Sequence, residues 1–232
     1  AEQISGILKR FKILDISTET IYRWLRRDKA GDGELVAHTR IMSKNGRKRY
    51  RSKDSRGVLA GKRHISERPQ EANLRLAIGH WEGDTVIGKD LRHCLLTLVE
   101  RVSGFAIVMK LKARTKEEVI RAAKVAIARY ERQFKTLSLD NGTEFHDYAK
   151  LEQAFNLKCF FATPYHSWER GTNENFNGLL RQYVPKGVCM QDIDQKQCDH
   201  IANELNNRPR KRHNFLTPSE IFFGRTSVAL AG

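Results

Sequence analysis

Acidic residues, cysteines and long apolar runs are all scarce in this 232-residue chain. No apolar run approaches the ~20 residues that a membrane-spanning helix needs, so no membrane partner is expected. Residues 1–12 carry neither the apolar core nor the cleavage site of a signal peptide. The chain begins at Ala1, which leaves room for an upstream segment. The four cysteines, Cys94, Cys159, Cys189 and Cys198, form no C-x-x-C pair, and free thiols in a reducing cytosol are the expectation. Asp and Glu number 27 against 42 Lys and Arg, a formal net charge of +15. Such an excess is costly to keep compact unless a polyanion neutralises it. Hydrophobic residues make up 40%, enough for a core, which excludes a wholly disordered chain. A soluble, intracellular, nucleic-acid-binding protein is the resulting class.

The charge is uneven. Residues 1–78 hold 19 basic and 9 acidic side chains, and residues 79–232 hold 23 and 18. The strand-like apolar runs lie mostly in the second part. The expected organisation is a nucleic-acid-binding segment over 1–39, a basic linker over 40–78 and a globular domain over 79–232, long enough for one sizeable core.

Ile4, Ile7, Leu8 and Phe11 form the apolar stripe of a first helix. Ser17 reads as the N-cap of a second, with Ile16 and Ile21 at the positions of a hydrophobic staple. Ile21, Trp24 and Leu25 continue its stripe, and Arg23, Arg26 and Arg27 lie on or near the other faces. Two short helices joined by a tight connection, the second basic, match a helix-turn-helix, although a helical hairpin with a solvated basic face has the same pattern. Residues 40–63 hold ten basic residues and one acid. Arg47, Lys48, Arg49 and Arg51 are the candidate phosphate contacts there.

In the core, His80–Ile87, His93–Val99 and Gly104–Leu111 read as strands joined by short, antiparallel-favouring links. Thr115 caps a helix with Val119, Ile120, Ala123, Ile127 and Tyr130 inward. Thr136–Leu139 is a fourth strand. A helix over Glu144–Phe155, a strand over Leu157–Ala162 and a helix over Trp168–Val184 follow. Another helix runs through Ile193, Ile201 and Leu205, and Thr217-Pro218-Ser219-Glu220 is a capping box opening a last one. The order implies a mixed α/β sheet of three antiparallel and two parallel strands with helices on both faces. That is the ribonuclease-H-like arrangement, one of several α/β possibilities on order alone.

Three acids stand out. Asp84 lies inside a strand, where Asp is disfavoured. Asp140 ends a strand, where α/β sheets place ligands. Glu174 lies on the helix after the fifth strand. If the first and fourth strands are neighbours, the three approach one another, and keeping them ionised requires a cation. Oxygen ligands suit Mg²⁺ or Mn²⁺, and two such ions can serve phosphoryl transfer. Each has a blander reading: Asp140 as a turn residue, Glu174 as a surface partner of Arg170. Glu82 shares the face of Asp84 and is a rival carboxylate. Arg170, Glu174, Asn177 and Arg181 form one polar helical stripe. Gly171 and Gly178 on the same helix leave clearance for a phosphate backbone, or for another helix. His166, in an aromatic loop, is a candidate substrate contact. A zinc site at Cys189, Cys198 and His200 lacks paired spacing.

His80-Trp81-Glu82-Gly83-Asp84-Thr85-Val86, Leu139-Asp140-Asn141-Gly142-Thr143-Glu144-Phe145 and the run from Pro164 to Asn175 with Glu169-Arg170-Gly171-Thr172-Asn173-Glu174 resemble the DDE transposases of the insertion-sequence-thirty family. The tail Leu205-Asn206-Asn207-Arg208-Pro209-Arg210-Lys211 with Thr217-Pro218 matches as well. The likeness covers nearly the whole chain, and the glutamate-bearing run is its most specific part. Two departures are visible. Family members usually begin further upstream with additional DNA-binding sequence, and Ser103-Gly104-Phe105 replaces a more usual polar-aromatic stretch. The resemblance implies an integrase core with Asp84, Asp140 and Glu174 as metal ligands. It also implies cleavage of double-stranded DNA at element ends, strand transfer by a freed 3′-OH through a joined-end circle, and a homodimer or larger assembly on DNA. A non-catalytic DNA-binding regulator and a structure-selective nuclease are the rival readings; His166, Arg170 and Arg181 join the N-terminal arginines as candidate DNA contacts. Each phosphate contact contributes roughly −0.9 to the slope of log affinity against log salt. Alanine at Arg47 or Arg49 should therefore flatten that slope by up to about this amount, measured by DNA-binding titration over a salt series.

Overall fold

The computed structural model describes residues 1–39, 61–164 and 166–224. Arg47, Lys48, Arg49 and Arg51 lie outside the described residues. Two compact units are present. The smaller takes its described residues from Ala1–Ser55 and Pro209–Thr217, the larger from Arg56–Arg208 and Pro218–Arg225.

In the smaller unit, α1 spans Glu2–Arg10 and α2 spans Thr18–Ala30. The Ser17 hydroxyl accepts from the Thr20 backbone N–H at 3.1 Å, satisfying a donor the first turn leaves unpaired. Ile16 and Ile21 are buried, as a staple requires. Trp24 departs from its expected inward place: it is 53% exposed, on a face that also exposes Arg23, Arg26 and Arg27. The chain returns to this unit at Pro209, whose carbonyl accepts from the Gln3 side chain at 2.8 Å.

The larger unit is built on a five-stranded sheet: β1 (His80–Ile87), β2 (Cys94–Glu100), β3 (Ala106–Leu111), β4 (Thr136–Leu139) and β5 (Lys158–Phe161), in the order β3-β2-β1-β4-β5. β1, β2 and β3 pair antiparallel; β1, β4 and β5 pair parallel. The expected three-plus-two arrangement is the one observed. Period-2 alternation divides the side chains between two cores. Trp81, Leu96, Leu98, Ile107 and Leu137 face one core, with α4 (Lys116–Ala128) and α5 (Ala149–Ala154). Val86, Leu95, Val99 and Val108 face the other, with α6 (Gly171–Leu180) and α7 (Gln195–Asn206). Thr115 caps α4, and Asp194 with Gln197 forms a capping box on α7. Residues 61–78 contribute the short α3 (Gln70–Asn73), with Ile65 and Ala72 buried and Arg68 donating to the Ser138 hydroxyl at 3.0 Å. The last helix, α8 (Pro218–Phe223), starts on its proline, which fits a position whose N–H has no helical partner.

Two helices are shorter than the sequence suggests. The helix expected from Glu144 is a 3-10 turn, Thr143–Phe145, followed by α5. Glu144 turns inward to Thr85 and Arg114, and that tie outweighs local helix propensity. The helix expected from Trp168 opens as a 3-10 turn, Ser167–Arg170, before α6. There Glu169 accepts both the N–H and the hydroxyl of Thr163, at 2.7 and 2.9 Å.

Glu82 is fully buried and paired with Arg101, itself 7% exposed. It also accepts the Asn173 backbone N–H at 2.8 Å, while Arg101 Nε donates to the Ala72 carbonyl at 2.9 Å. The pair thus joins β1, β2, α6 and the segment before β1. Glu82→Ala should lower stability by about 3–5 kcal/mol, because it strands a buried guanidinium, as read by urea denaturation.

Candidate active site

The strand pairing decides where the outstanding acids stand. Glu82 on β1 faces Ser138 on β4 in parallel register. Continued by two residues, that register sets Asp84 beside Asp140, on the same face of the sheet. β1 crosses this point with Gly83 turned to the opposite core, where a Cβ would lie 2.7 Å from the Leu139 side chain.

Each aspartate has an oxygen fixed by a nearby backbone N–H. Asp84 Oδ1 accepts the Thr85 N–H at 2.9 Å, and its Oδ2 accepts from Asn177 Nδ2 at 2.8 Å. The Asn177 carbonyl oxygen accepts from the Thr97 hydroxyl at 3.1 Å, and Thr97 stands opposite Asp84 on β2. Asp140 Oδ1 accepts the Gly142 N–H at 2.8 Å, so the turn reading of this residue accounts for one of its oxygens. The Arg170 guanidinium lies between the two carboxylates, 3.7 Å from Asp84 Oδ1 and 3.7 Å from Asp140 Oδ2, and donates to the Gly83 carbonyl at 3.0 Å.

Burial pushes the Asp84 carboxyl up to about 6, the Arg170 charge opposing this and Asp140 adding to it. Keeping Asp84 ionised near neutrality thus depends on positive charge nearby. Glu174 stands one turn beyond Arg170 on the polar stripe of α6 and is exposed. Its carboxylate does not join those of Asp84 and Asp140 within 4.8 Å. A Cβ on Gly171 or Gly178 would meet nothing within 4 Å, so among the described residues no helix presses on that flank.

Glu144 is a fourth carboxylate that the spacing argument passed over. It is 3% exposed. Its Oε1 accepts from Thr85 Oγ1 at 2.8 Å and from Arg114 Nη2 at 2.8 Å, while its buried Oε2 has no partner. A Cβ at Gly142 would sit 2.6 Å from that Oε2 and 2.8 Å from Asp140 Oδ1, so only glycine lets the two acids close in. Burial pushes its carboxyl up, but its own N–H, Arg114 and Thr85 outweigh burial and hold it low. Its signal in the sequence was its place four residues after Asp140, inside the same motif.

The donor chemistry fits a hard divalent cation. Asp84 and Asp140 already share one cation, a guanidinium, and an unpartnered carboxylate oxygen lies buried beside them. Lys62 adds positive charge from the segment before β1: its ammonium lies 4.3 Å over the Phe161 ring and 3.4 Å from Asn141 Oδ1. The other candidates are placed as follows. Arg181 donates to the Ile87 carbonyl at 2.9 Å, fastening α6 to the end of β1. His166 stacks on Trp168 at 4.3 Å between ring centroids, and Trp168 is 67% exposed. The cysteine candidates for zinc are separated by environment: Cys198 is buried in the core under α7, and Cys189 is exposed.

Residues 75–167, which span all five strands, match the family model of the integrase core domain. The chain is 40% identical over 233 residues to the transposase for insertion sequence element IS4351 of Bacteroides fragilis, covering 99% of itself and 72% of that protein. It is 38% identical over 231 residues to the transposase InsI for insertion sequence element IS30C of Escherichia coli K12, covering 95% of itself and 60% of that protein. Among solved structures, the catalytic core domain of BIV integrase aligns with a TM-score of 0.50 at 20% identity, over 64% of this chain and 95% of that one. A chain of the simian T-cell lymphotropic virus intasome aligns with a TM-score of 0.52 at 20% identity, over 66% and 56%. These likenesses make the sheet and its flanking helices a ribonuclease-H-like integrase core, and the chain belongs to the insertion-sequence-thirty family of transposases.

Proposed function

We propose that this chain carries the catalytic machinery of a DDE transposase, a polynucleotidyl transferase that cuts double-stranded DNA at insertion-sequence ends and joins the freed 3′-OH to target DNA. The observation that carries the reading is the pair Asp84 and Asp140, set side by side by parallel strands and bridged by one cation, with Glu174 on the helix packed over them. Asp84, Asp140 and Glu174 would hold two Mg²⁺ or Mn²⁺ ions, which supply activation of the attacking oxygen and charge stabilisation at the phosphate. Asn177 fixes the Asp84 carboxylate from α6, and Thr97 fixes Asn177 in turn. Glu144, clamped by Arg114 and Thr85, orients its unpartnered oxygen toward the same place.

In the first step water adds to phosphorus at the element end, and the departing 3′-oxygen takes up a proton. In the second, that 3′-OH adds to a target phosphorus and the target's own 3′-oxygen leaves. The protein's contribution to both is positioning and electrostatics. Arg23, Arg26 and Arg27 on α2 of a helix-turn-helix, together with Arg47, Lys48, Arg49 and Arg51 of the linker, would grip phosphates. His166, Arg170 and Arg181 would do so nearer the cleft. Pairing two ends asks for at least a homodimer on DNA, at work in the bacterial cytoplasm.

Asp84→Asn, Asp140→Asn and Glu174→Gln should each abolish strand transfer in Mg²⁺ while leaving DNA binding within about twofold, read on labelled element ends. Full joining activity in any one of them removes that residue from the triad. Metal-dependent nicking without joining would favour the nuclease reading, and neither product the regulator. Arg170→Gln should lower the melting temperature in EDTA and enlarge the rise on adding Mn²⁺, because the aspartates then lack their internal counter-charge. Equal melting behaviour in calorimetry would show that the guanidinium does not balance them.

A further inference from the structure

The turn after β1 holds a second constellation, chemically unlike the first. We propose that Asp90, His93 and Cys189 form a site for one thiophilic divalent ion, Zn²⁺ above all, separate from the carboxylate cleft. One ligand atom from each lies within 4.8 Å of the others. Asp90 divides its oxygens between two tasks. Oδ1 accepts the N–H groups of Arg92 and His93 at 3.3 and 3.1 Å and shapes the turn. Oδ2 accepts from His93 Nδ1 and from the Cys189 thiol, the latter at 3.7 Å. Both other ligands therefore already converge on one carboxylate oxygen.

The thiol arrives from a loop nearly a hundred residues away, and the loop is held there by other contacts. The Lys89 N–H donates to the Val188 carbonyl at 3.1 Å. Met190, next to the cysteine, is fully buried, and its carbonyl accepts from Lys110. The donor set is thus assembled before any ion binds, and little loop ordering remains to oppose binding. One thiolate, one imidazole and one carboxylate suit tetrahedral zinc, with a fourth position for water. Sulfur disfavours Mg²⁺ and Ca²⁺, which distinguishes this site from the carboxylate cleft. With thiolate and carboxylate both ionised, a dication leaves the site itself neutral, and because Asp90 is already counted in the formal +15, binding with loss of the thiol proton adds only one charge to the chain. Binding releases the thiol proton, and the Asp90–His93 hydrogen bond gives way to bonds from both residues to the ion. The ion would staple the turn following the Asp84 strand to the loop following the Glu174 helix, where Arg181 already makes one such tie.

The test is Co²⁺ titration of the full chain under reducing conditions, followed by the thiolate-to-cobalt charge-transfer band. The band should saturate at one equivalent, vanish on adding Zn²⁺ and persist in Asp84→Asn. It should be absent in Cys189→Ser, whose melting temperature in EDTA should match the parent because the side chain is exposed. His93→Ala should weaken Co²⁺ binding by no less than the roughly tenfold that losing an outer-shell partner costs. No band, a band that survives Cys189→Ser, or parent affinity in His93→Ala would each overturn the site.

Discussion

Two carboxylates set side by side in a half-buried cleft cannot both stay ionised unless positive charge lies between them. That constraint organises the larger unit. Parallel pairing of β1 with β4 brings Asp84 and Asp140 together, and burial raises the Asp84 carboxyl to about 6. The structure answers with Arg170, whose guanidinium reaches both aspartates from the turn before α6. The same side chain donates to the Gly83 carbonyl, so the cation that balances the charges also seats the helix on the strand.

The fold assigns neighbouring acids to different work. Glu82 and Asp84 share one face of β1, two residues apart, and α6 answers them with Asn173 and Asn177, one helical turn apart. The spacing of i and i+2 on a strand nearly equals that of i and i+4 on a helix, so the two pairs meet in register. Glu82 is then consumed by Arg101 and Asn173 at no exposure at all, while Asp84 keeps an edge toward the cleft. Glu144 stands between these cases: one oxygen is held by Thr85 and Arg114, the other has no partner. An acid with one oxygen tied and one bare is well placed to orient a cation or its water without being displaced by it.

A chain with a formal charge of +15 and a cluster of acids at its candidate active site has two opposed demands. The positive excess attracts a polyanion over distance, and the acids repel the same polyanion on close approach. On the proposed reading, a divalent ion held by the acids would turn that repulsion into attraction where the phosphate is to be held. The proposed zinc staple meets a different need, which is rigidity. It would bind the strand of Asp84 to the helix of Glu174 through loops that otherwise rely on backbone hydrogen bonds and Arg181.

Periodicity and punctuation alone determined much of this protein. Alternating apolar residues placed β1 at His80–Ile87 and β4 at Thr136–Leu139 as the structure has them, and side-chain caps placed the starts of α2 and α4. These signals are local, so they survive without knowledge of the fold. Asp84 and Asp140 were legible as candidates because each occupies a position where Asp needs a reason. What only the tertiary structure decided depends on contacts between distant residues. It ended the helix expected from Glu144 by drawing that side chain inward to Thr85 and Arg114. It spent Glu82 on Arg101, a partner 19 residues away. It put Arg170 between the aspartates rather than in the open, and left Trp24 53% exposed. It also gathered Cys189 with Asp90 and His93, a set no cysteine spacing could reveal. In each case the deciding energy is desolvation or a long-range polar pairing, which the order of residues along the chain does not encode locally.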